Sequence, residues 1–282
     1  FTDGTDYPML NATQGSLSGQ EDAVIYRLDA NGTRLWSTYF GGTDIDNAKG
    51  IATDIAGNAY VTGHTNSQDL PVMNSLQGNY GGGLYDAFIA KYNSTGVMQW
   101  ASWRGGTGAD FGTAIASDDA GTIYVVGYTN TTANFPLLNP IQATLASSTI
   151  YDGFVMRLNA SQLMQWSTYY GGTDEDKFRS VALDALSNNL VIAGNTMSGN
   201  FPTAGVPFQL FNAQAWFTSD AVLVKMTVNQ SVVFATYCGG YEDDVAYGVT
   251  FDDVGNIYAT GYTLSQDFPK VVLAGSYSYT SF

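Results

Sequence analysis

The chain has 282 residues, 45% of them hydrophobic and only 12% charged, enough to bury a large core in one or two domains. Ten Lys and Arg stand against 25 Asp and Glu, a formal net charge of -15, which repels phosphate backbones and anionic headgroups and makes nucleic acid and acidic membranes poor partner candidates. The one cysteine, Cys238, permits no internal bridge, and no apolar run approaches the roughly 20 residues that span a bilayer.

Gly at 32, Tyr at 19 and Phe at 15 favour turns and strands over helices. The chain starts at Phe1 with neither Met nor a signal peptide, so it is expected to be a processed product or a piece of something longer. Residues 1–21 read as a partial unit and connecting segment containing Pro8. A full unit then opens at Asp22 with DAVIYRLD, and the element returns as DAFIAKYN from Asp86, DGFVMRLN from Asp152 and DAVLVKMT from Asp220. The period is about 65 residues, the signature of a repeat architecture.

Each opening is followed by an aromatic strand ending in paired glycines: LWSTYFGG, QWASWRGG, QWSTYYGG and VFATYCGG. Two more strands follow from Ile51, Ile115, Val181 and Val249. They are joined by tight turns at Asp54–Gly57, Asp118–Gly121, Asp184–Ser187 and Asp252–Gly255, where the Asp accepts backbone N–H bonds. The units close at Pro71, Pro136, Pro202 and Pro269.

Small residues such as Gly50 and Ala52 let neighbouring sheets approach, while Trp36, Trp100, Trp166 and Phe234 fill the space between them. A sheet covered on both faces by copies of itself is what radial or linear stacking provides. The expected fold is therefore all-β, a propeller-type array of four four-stranded antiparallel blades. It is either an arc of a larger array or a closed four-bladed ring. The blades are placed at 22–85, 86–151, 152–219 and 220–269, with 270–282 a C-terminal connecting segment.

The Asp-Ala-Phe-like strand start, the Gly-Gly strand, the D-x-x-G-N-x-Y-x-T-G-x-T element and the D-F-P ending resemble the SBBP repeat, a seven-bladed β-propeller family. The resemblance recurs four times and implies a propeller fold. It implies no shared chemistry, because such repeats occur in extracellular and surface proteins of many kinds. Four units are fewer than the seven of the family name.

Sequons stand at Asn11, Asn31, Asn93, Asn130, Asn159 and Asn229, four of them in the hairpin joining the first two strands of a unit. Acidic residues after the paired glycines (Asp44, Asp46, Asp174, Asp176, Glu242 and Asp244) are candidate calcium ligands. The alternative is that Asp46, Asp110, Asp176 and Asp244 cap backbone N–H groups. Asp22 with Arg27, Asp86 with Lys91, Asp152 with Arg157 and Asp220 with Lys225 are expected to form an ion-pair ladder between blades. The single histidine, His64, and Cys238 sit at positions that vary between units, and no nucleophile elbow or Cys/His metal spacing occurs.

The expectation is thus an extracellular, non-catalytic structural glycoprotein with no cofactor. It would be a subunit of a surface layer or filament whose partners are copies of itself or neighbouring repeats. An adhesion propeller that binds carbohydrate through loops such as GNYGGGLY from Gly78 and FNAQAWF from Phe211 is the alternative. A propeller lyase or hydrolase comes third.

Overall fold

The computed structural model describes residues 7–147, 149–184, 186–209 and 218–269. These residues form strands and turns only. The first repeat contains β1 (Ala23–Leu28), β2 (Arg34–Phe40), β3 (Asp46–Thr53) and β4 (Ala59–Thr65). The second contains β5 (Asp86–Tyr92), β6 (Met98–Arg104), β7 (Asp110–Ser117) and β8 (Ile123–Thr129). The third contains β9 (Asp152–Leu158), β10 (Met164–Tyr170), β11 (Asp176–Asp184) and β12 (Asn189–Thr196). The fourth contains β13 (Asp220–Thr227), β14 (Val232–Cys238), β15 (Asp244–Phe251) and β16 (Ile257–Thr263).

The expected array of four-stranded antiparallel sheets is present, but its phase differs from the sequence units. The four-stranded sheets are β3-β4-β5-β6, β7-β8-β9-β10 and β11-β12-β13-β14, while β1-β2 and β15-β16 stand as two-stranded sheets at the two ends. Each complete sheet thus joins the last two strands of one unit to the first two of the next. The expected blade limits 22–85, 86–151, 152–219 and 220–269 cut through the middle of sheets. Four units yield three complete blades and two halves, and the halves are complementary: one lacks its first two strands, the other its last two.

The reason lies in the connections. The five-residue Gly-Gly link from β2 to β3 carries the chain into the next sheet. The long segment between β4 and β5 returns to lie alongside. On its way it crosses the outer edge of its own sheet, where Met73 bridges Ala101; Leu138 with Ser167, and Ala204 with Ala235, repeat the contact. That segment shields strands that would otherwise present free ladder groups. The Leu-Pro and Phe-Pro pairs anchor it, with Leu70, Phe135 and Phe201 buried.

Successive blades touch through their first strands: β3 packs on β7, β7 on β11 and β11 on β15. The expected aromatic wedges sit between sheets. Trp36, Trp100 and Trp166 are buried, and Trp36 stacks on Tyr92 at a centroid distance of 6.0 Å. Phe234, their counterpart on β14, is only half-buried. It faces the end where the array is incomplete.

Each first strand carries a bulge, as between Ala48 and Gly50. The bulge presses one carbonyl against the neighbouring strand, which explains the glycine of the Thr-Gly-x-Thr motif. A Cβ on Gly63 would lie 1.9 Å from the Asn47 carbonyl oxygen. No helix among the described residues is long and apolar enough to cross a membrane.

Candidate functional site

The most repeated polar arrangement is a pair of buried aspartates at each Gly-Gly link. Asp46 Oδ2 accepts the Gly42 N–H at 2.7 Å and the Ser67 hydroxyl at 2.8 Å. Asp176 does the same with Gly172 at 2.7 Å and Ser198 at 2.9 Å, and Asp244 with Gly240 at 2.7 Å and Ser265 at 2.8 Å. Asp110 accepts from Gly106 at 2.8 Å and Thr131 at 2.9 Å, and also from Thr129. These are the capping aspartates that the turn chemistry anticipates.

The second member of each pair comes from the preceding strand start. A Cβ on Gly41 would stand 2.6 Å from Asp22 Oδ1 and 2.7 Å from Asp46 Oδ2, so the two carboxyls meet on one side of that glycine. Gly105 brings Asp86 to Asp110 and Gly171 brings Asp152 to Asp176 in the same way. One oxygen of each strand-start aspartate is engaged: Asp22 by Gln14 at 2.7 Å and the Ser18 N–H at 3.0 Å, Asp86 by the Gly81 N–H at 2.5 Å, Asp152 by Gln142 at 2.9 Å. The other oxygen of Asp22, Asp86 and Asp152 is buried without a hydrogen-bond partner.

Burial disfavours the anions. Desolvation raises Asp46, Asp110 and Asp152 to about 6 and Asp86 and Asp176 to about 7, against the donated hydrogen bonds, and raises Asp22 as well. Burial thus favours the protonated form of these carboxyls.

The calcium candidates do not converge. Asp46, Asp176 and Asp244 are fully buried and committed to their caps, whereas Asp44 is half-exposed and Asp174 and Glu242 are exposed. Among the described residues, no three His, Cys, Asp or Glu side chains gather as a metal-ligand group. Sequence reasoning missed the pairing of Asp22 with Asp46. The available signal was that both recur in every unit beside the same paired glycines.

The ion-pair ladder is corrected at Asp22, Asp86 and Asp152, whose carboxyls bind the groups named above. Five residues of strand separate a strand-start acid from its base by about 16 Å, one at each end of the blade. The basic ends nevertheless bridge blades. Arg27 donates to the Ser94 carbonyl at 2.6 Å, and the Trp36 indole N–H donates to the same oxygen at 3.2 Å. Arg157 and Trp166 converge likewise on the Val228 carbonyl, at 3.2 and 2.8 Å. Lys91 instead stays within its own sheet, over the ring of Tyr60 on the adjacent strand, 4.9 Å from the centroid.

The sequons divide by position. Asn31, Asn93, Asn159 and Asn229 all occupy first hairpins, but not at one turn position. Asn93 and Asn159 open their turns, with Oδ1 accepting the Val97 N–H at 2.9 Å and the Leu163 N–H at 3.0 Å. Asn31 and Asn229 lie two residues further on and are exposed. Asn11 is exposed as well, at a positive φ of 51°. Asn130 is a structural rung, its Oδ1 accepting the Ala109 N–H at 2.7 Å.

At the opposite ends of the strands runs an aromatic stripe. His64 packs edge-on against Tyr85 and Phe111 at 5.1 and 4.9 Å, and Phe111 stacks on Tyr128 at 4.8 Å. Lys177 lies over Tyr128 and Tyr151, and Arg179 over Tyr247. Burial, with a contribution from Lys49, lowers His64 to about 4, so the imidazole is neutral at physiological pH. Burial pushes the Cys238 thiol up, away from the reactive thiolate. Of the two loops suggested for sugar binding, 78–85 contributes Tyr85 to the stripe, and residues 211–217 lie outside those described. The sequence also gave no warning of Arg104, which is buried and brought down to about 10 by desolvation.

A family model described as a beta-propeller repeat, SBBP, matches residues 35–71, 99–136 and 233–269. The third unit lies between those segments and folds in the same way. Over 114 residues the chain is 29% identical to the regulatory protein FlaEY of Caulobacter vibrioides. The match covers 39% of this chain and 12% of that protein, so the chain spans a small part of its relative's length.

Proposed function

From a chain that carries the SBBP beta-propeller repeat, we propose a non-catalytic structural module of the cell exterior, a subunit of a surface layer or filament that assembles with copies of itself. The observation that carries this reading is that the polar residues repeated in successive units are committed to the fold: Asp46, Asp110, Asp176 and Asp244 cap backbone N–H groups, and Arg27 and Arg157 bridge neighbouring blades. These residues hold backbone and neighbouring blades together. The exposed Asn31 and Asn229 hairpins offer acceptor sites for glycans in a secreted chain.

The test is native mass by light scattering, with electron microscopy of the purified protein and intact mass before and after glycosidase. Species larger than one chain with a removable added mass are expected. A monodisperse, unmodified monomer at every concentration would overturn the proposal.

A second reading, a carbohydrate-binding propeller, is favoured by the stripe from His64 to Tyr151 with Lys177 above it, because aromatic faces suit sugar rings. Binding on a glycan array that is lost in Tyr128→Ala would establish it. An array without hits would remove it.

A further inference from the structure

Independently of the assembly reading above, we infer that a cleft between the outer edges of two neighbouring sheets binds a small organic carboxylate, its anion paired with Arg104 and its apolar body held between leucine, proline and methionine side chains. The sheets are β3-β4-β5-β6 and β7-β8-β9-β10, and Arg104 is the last residue of β6, an outermost strand. The cleft is open to solvent and has a volume of about 310 Å³. Leu76 and Arg104 line it from the first sheet, and Pro136, Leu137, Leu138 and Met164 from the second. That volume stands at the small end of ligand sites, which run from about 300 to 1,000 Å³.

The guanidinium is only partly satisfied by the fold. Arg104 is 2% exposed, and its Nη1 donates to the Ser102 hydroxyl at 2.5 Å and to the Trp103 carbonyl at 2.9 Å. Its Nε and Nη2 are buried without an acceptor. Among the described residues, no Asp or Glu forms an ion pair with it. Burial lowers its pKa, and no neighbouring anion opposes that shift. A buried charge is costly unless it is paired and hydrogen-bonded. Here the fold has already desolvated the cation, so only the incoming anion still has to shed water. Both free nitrogens are closed to solvent. Binding therefore includes a turn of the guanidinium into the cleft, a side-chain change common at binding sites.

The other units show that the fold does not need a cation at this position. Its counterparts are Phe40, Tyr170 and Cys238. Phe40 is 1% exposed and packs on Phe88 at a centroid distance of 5.2 Å. Tyr170 donates its hydroxyl to the Pro202 carbonyl at 2.6 Å. A cleft in the same place in the first unit, lined in part by Phe40, Pro71 and Met98, has a similar volume of about 320 Å³ but a phenyl ring instead of a guanidinium. Gln77, the other polar residue lining the Arg104 cleft, is committed to the backbone. Its amide donates to the Gly105 carbonyl at 3.1 Å and accepts the Gly105 N–H at 3.2 Å. Among the residues lining the cleft, Arg104 alone keeps unused side-chain donors.

Charge and walls together define the ligand. A guanidinium offers a planar fork of donors that matches a carboxylate. Leu76 and Leu138 stand 51% and 40% exposed at the cleft, apolar area that the body of a ligand would cover. Inorganic phosphate has no apolar body to place there. The net charge of -15 opposes polyanions and acidic lipid surfaces far more than a compact ion with a single charge.

Hexanoate and benzoate are the probes, titrated onto the full chain and followed by ligand-observed NMR. Hexanol and inorganic phosphate are the controls, one keeping only the body and the other only the charge. Both carboxylates are expected to bind with a dissociation constant of about 1 mM or tighter, and each control at least about tenfold more weakly. Arg104→Phe installs the residue type that the first unit carries and is expected to weaken hexanoate at least about tenfold. Leu138→Glu changes a 40% exposed side chain, so the core is left intact, and its carboxylate is expected to repel hexanoate to a similar extent. Failure of both carboxylates to bind the native chain would overturn the proposal, as would hexanol or phosphate binding equally well. Hexanoate binding undiminished in either variant would place the ligand elsewhere and overturn this site. None of these outcomes depends on native mass, so self-assembly stands or falls separately.

Discussion

At the scale of single residues, the Gly-Gly link is where the sequence has least freedom. Asp86 and Asp110 close in on Gly105, where a Cβ would stand 2.6 Å from Asp86 Cγ and from Asp110 Oδ2. Gly105→Ala is therefore expected to destabilise the fold by about 1–3 kcal/mol, the usual cost of overpacking, as read from urea unfolding. The two acids have different duties. Asp110→Ala strips the Gly106 N–H and the hydroxyls of Thr129 and Thr131 of their acceptor, at about 1–3 kcal/mol for each donor left buried. Asp86 has one idle oxygen and a pKa raised by burial to about 7, so it is part-neutral at pH 7. Asp86→Asn keeps its shape and should cost far less. Equal losses in the two variants would refute the division of roles.

At the scale of elements, neighbouring blades are clasped at the hairpin of the following unit. The Val228 carbonyl receives both Arg157 and the Trp166 indole. Trp166→Phe keeps the wedge and removes one hydrogen bond, an expected loss of about 0.5–1.5 kcal/mol. Trp166→Ala empties the gap between sheets and should cost about 3–5 kcal/mol. Arg157→Ala combined with Trp166→Phe is expected to cost more than the two singles together, because the carbonyl loses its last donor only when both are gone. A double-mutant cycle measures this coupling directly, and strict additivity would mean that the shared acceptor is solvated in the single variants.

At the scale of the whole molecule, the aspartate pairs make stability depend on pH in an unusual sense. A carboxyl whose folded pKa stands above its unfolded value of 3.8 stabilises the fold when protonated. That contribution is complete below the unfolded value and is lost as pH rises through about 6 to 7, where Asp46, Asp86, Asp110, Asp152 and Asp176 titrate. His64 acts in the opposite direction. Its folded value near 4 lies below 6.5, so its share is present above 6.5 and fades as pH falls towards 4. One imidazole is outnumbered by the buried carboxyls, so the urea midpoint should be higher at pH 5 than at pH 8. A midpoint that rises from pH 5 to pH 8 would show the carboxyls to be ionised in the fold.

The amino-acid order alone determined what is local and periodic: the repeat, the four strands of each unit, the Asp-led hairpins, the capping role of Asp46 and its counterparts, and the wedges Trp36, Trp100 and Trp166. These follow from alternation within a strand and from hydrogen bonds spanning a few residues, and the same pattern printed four times made them legible. Tertiary structure decided which edges meet. A repeat has no natural starting point, so nothing in its period says that β4 pairs with β5 across residues 66–85 while the five-residue link after β2 leads to a different sheet. That choice moved the blades by half a unit, set Asp22 against Asp46 and turned Arg27 from an aspartate to the Ser94 carbonyl. The physical reason is that hydrogen-bonding between strands, unlike patterning along them, is fixed only when the chain is folded.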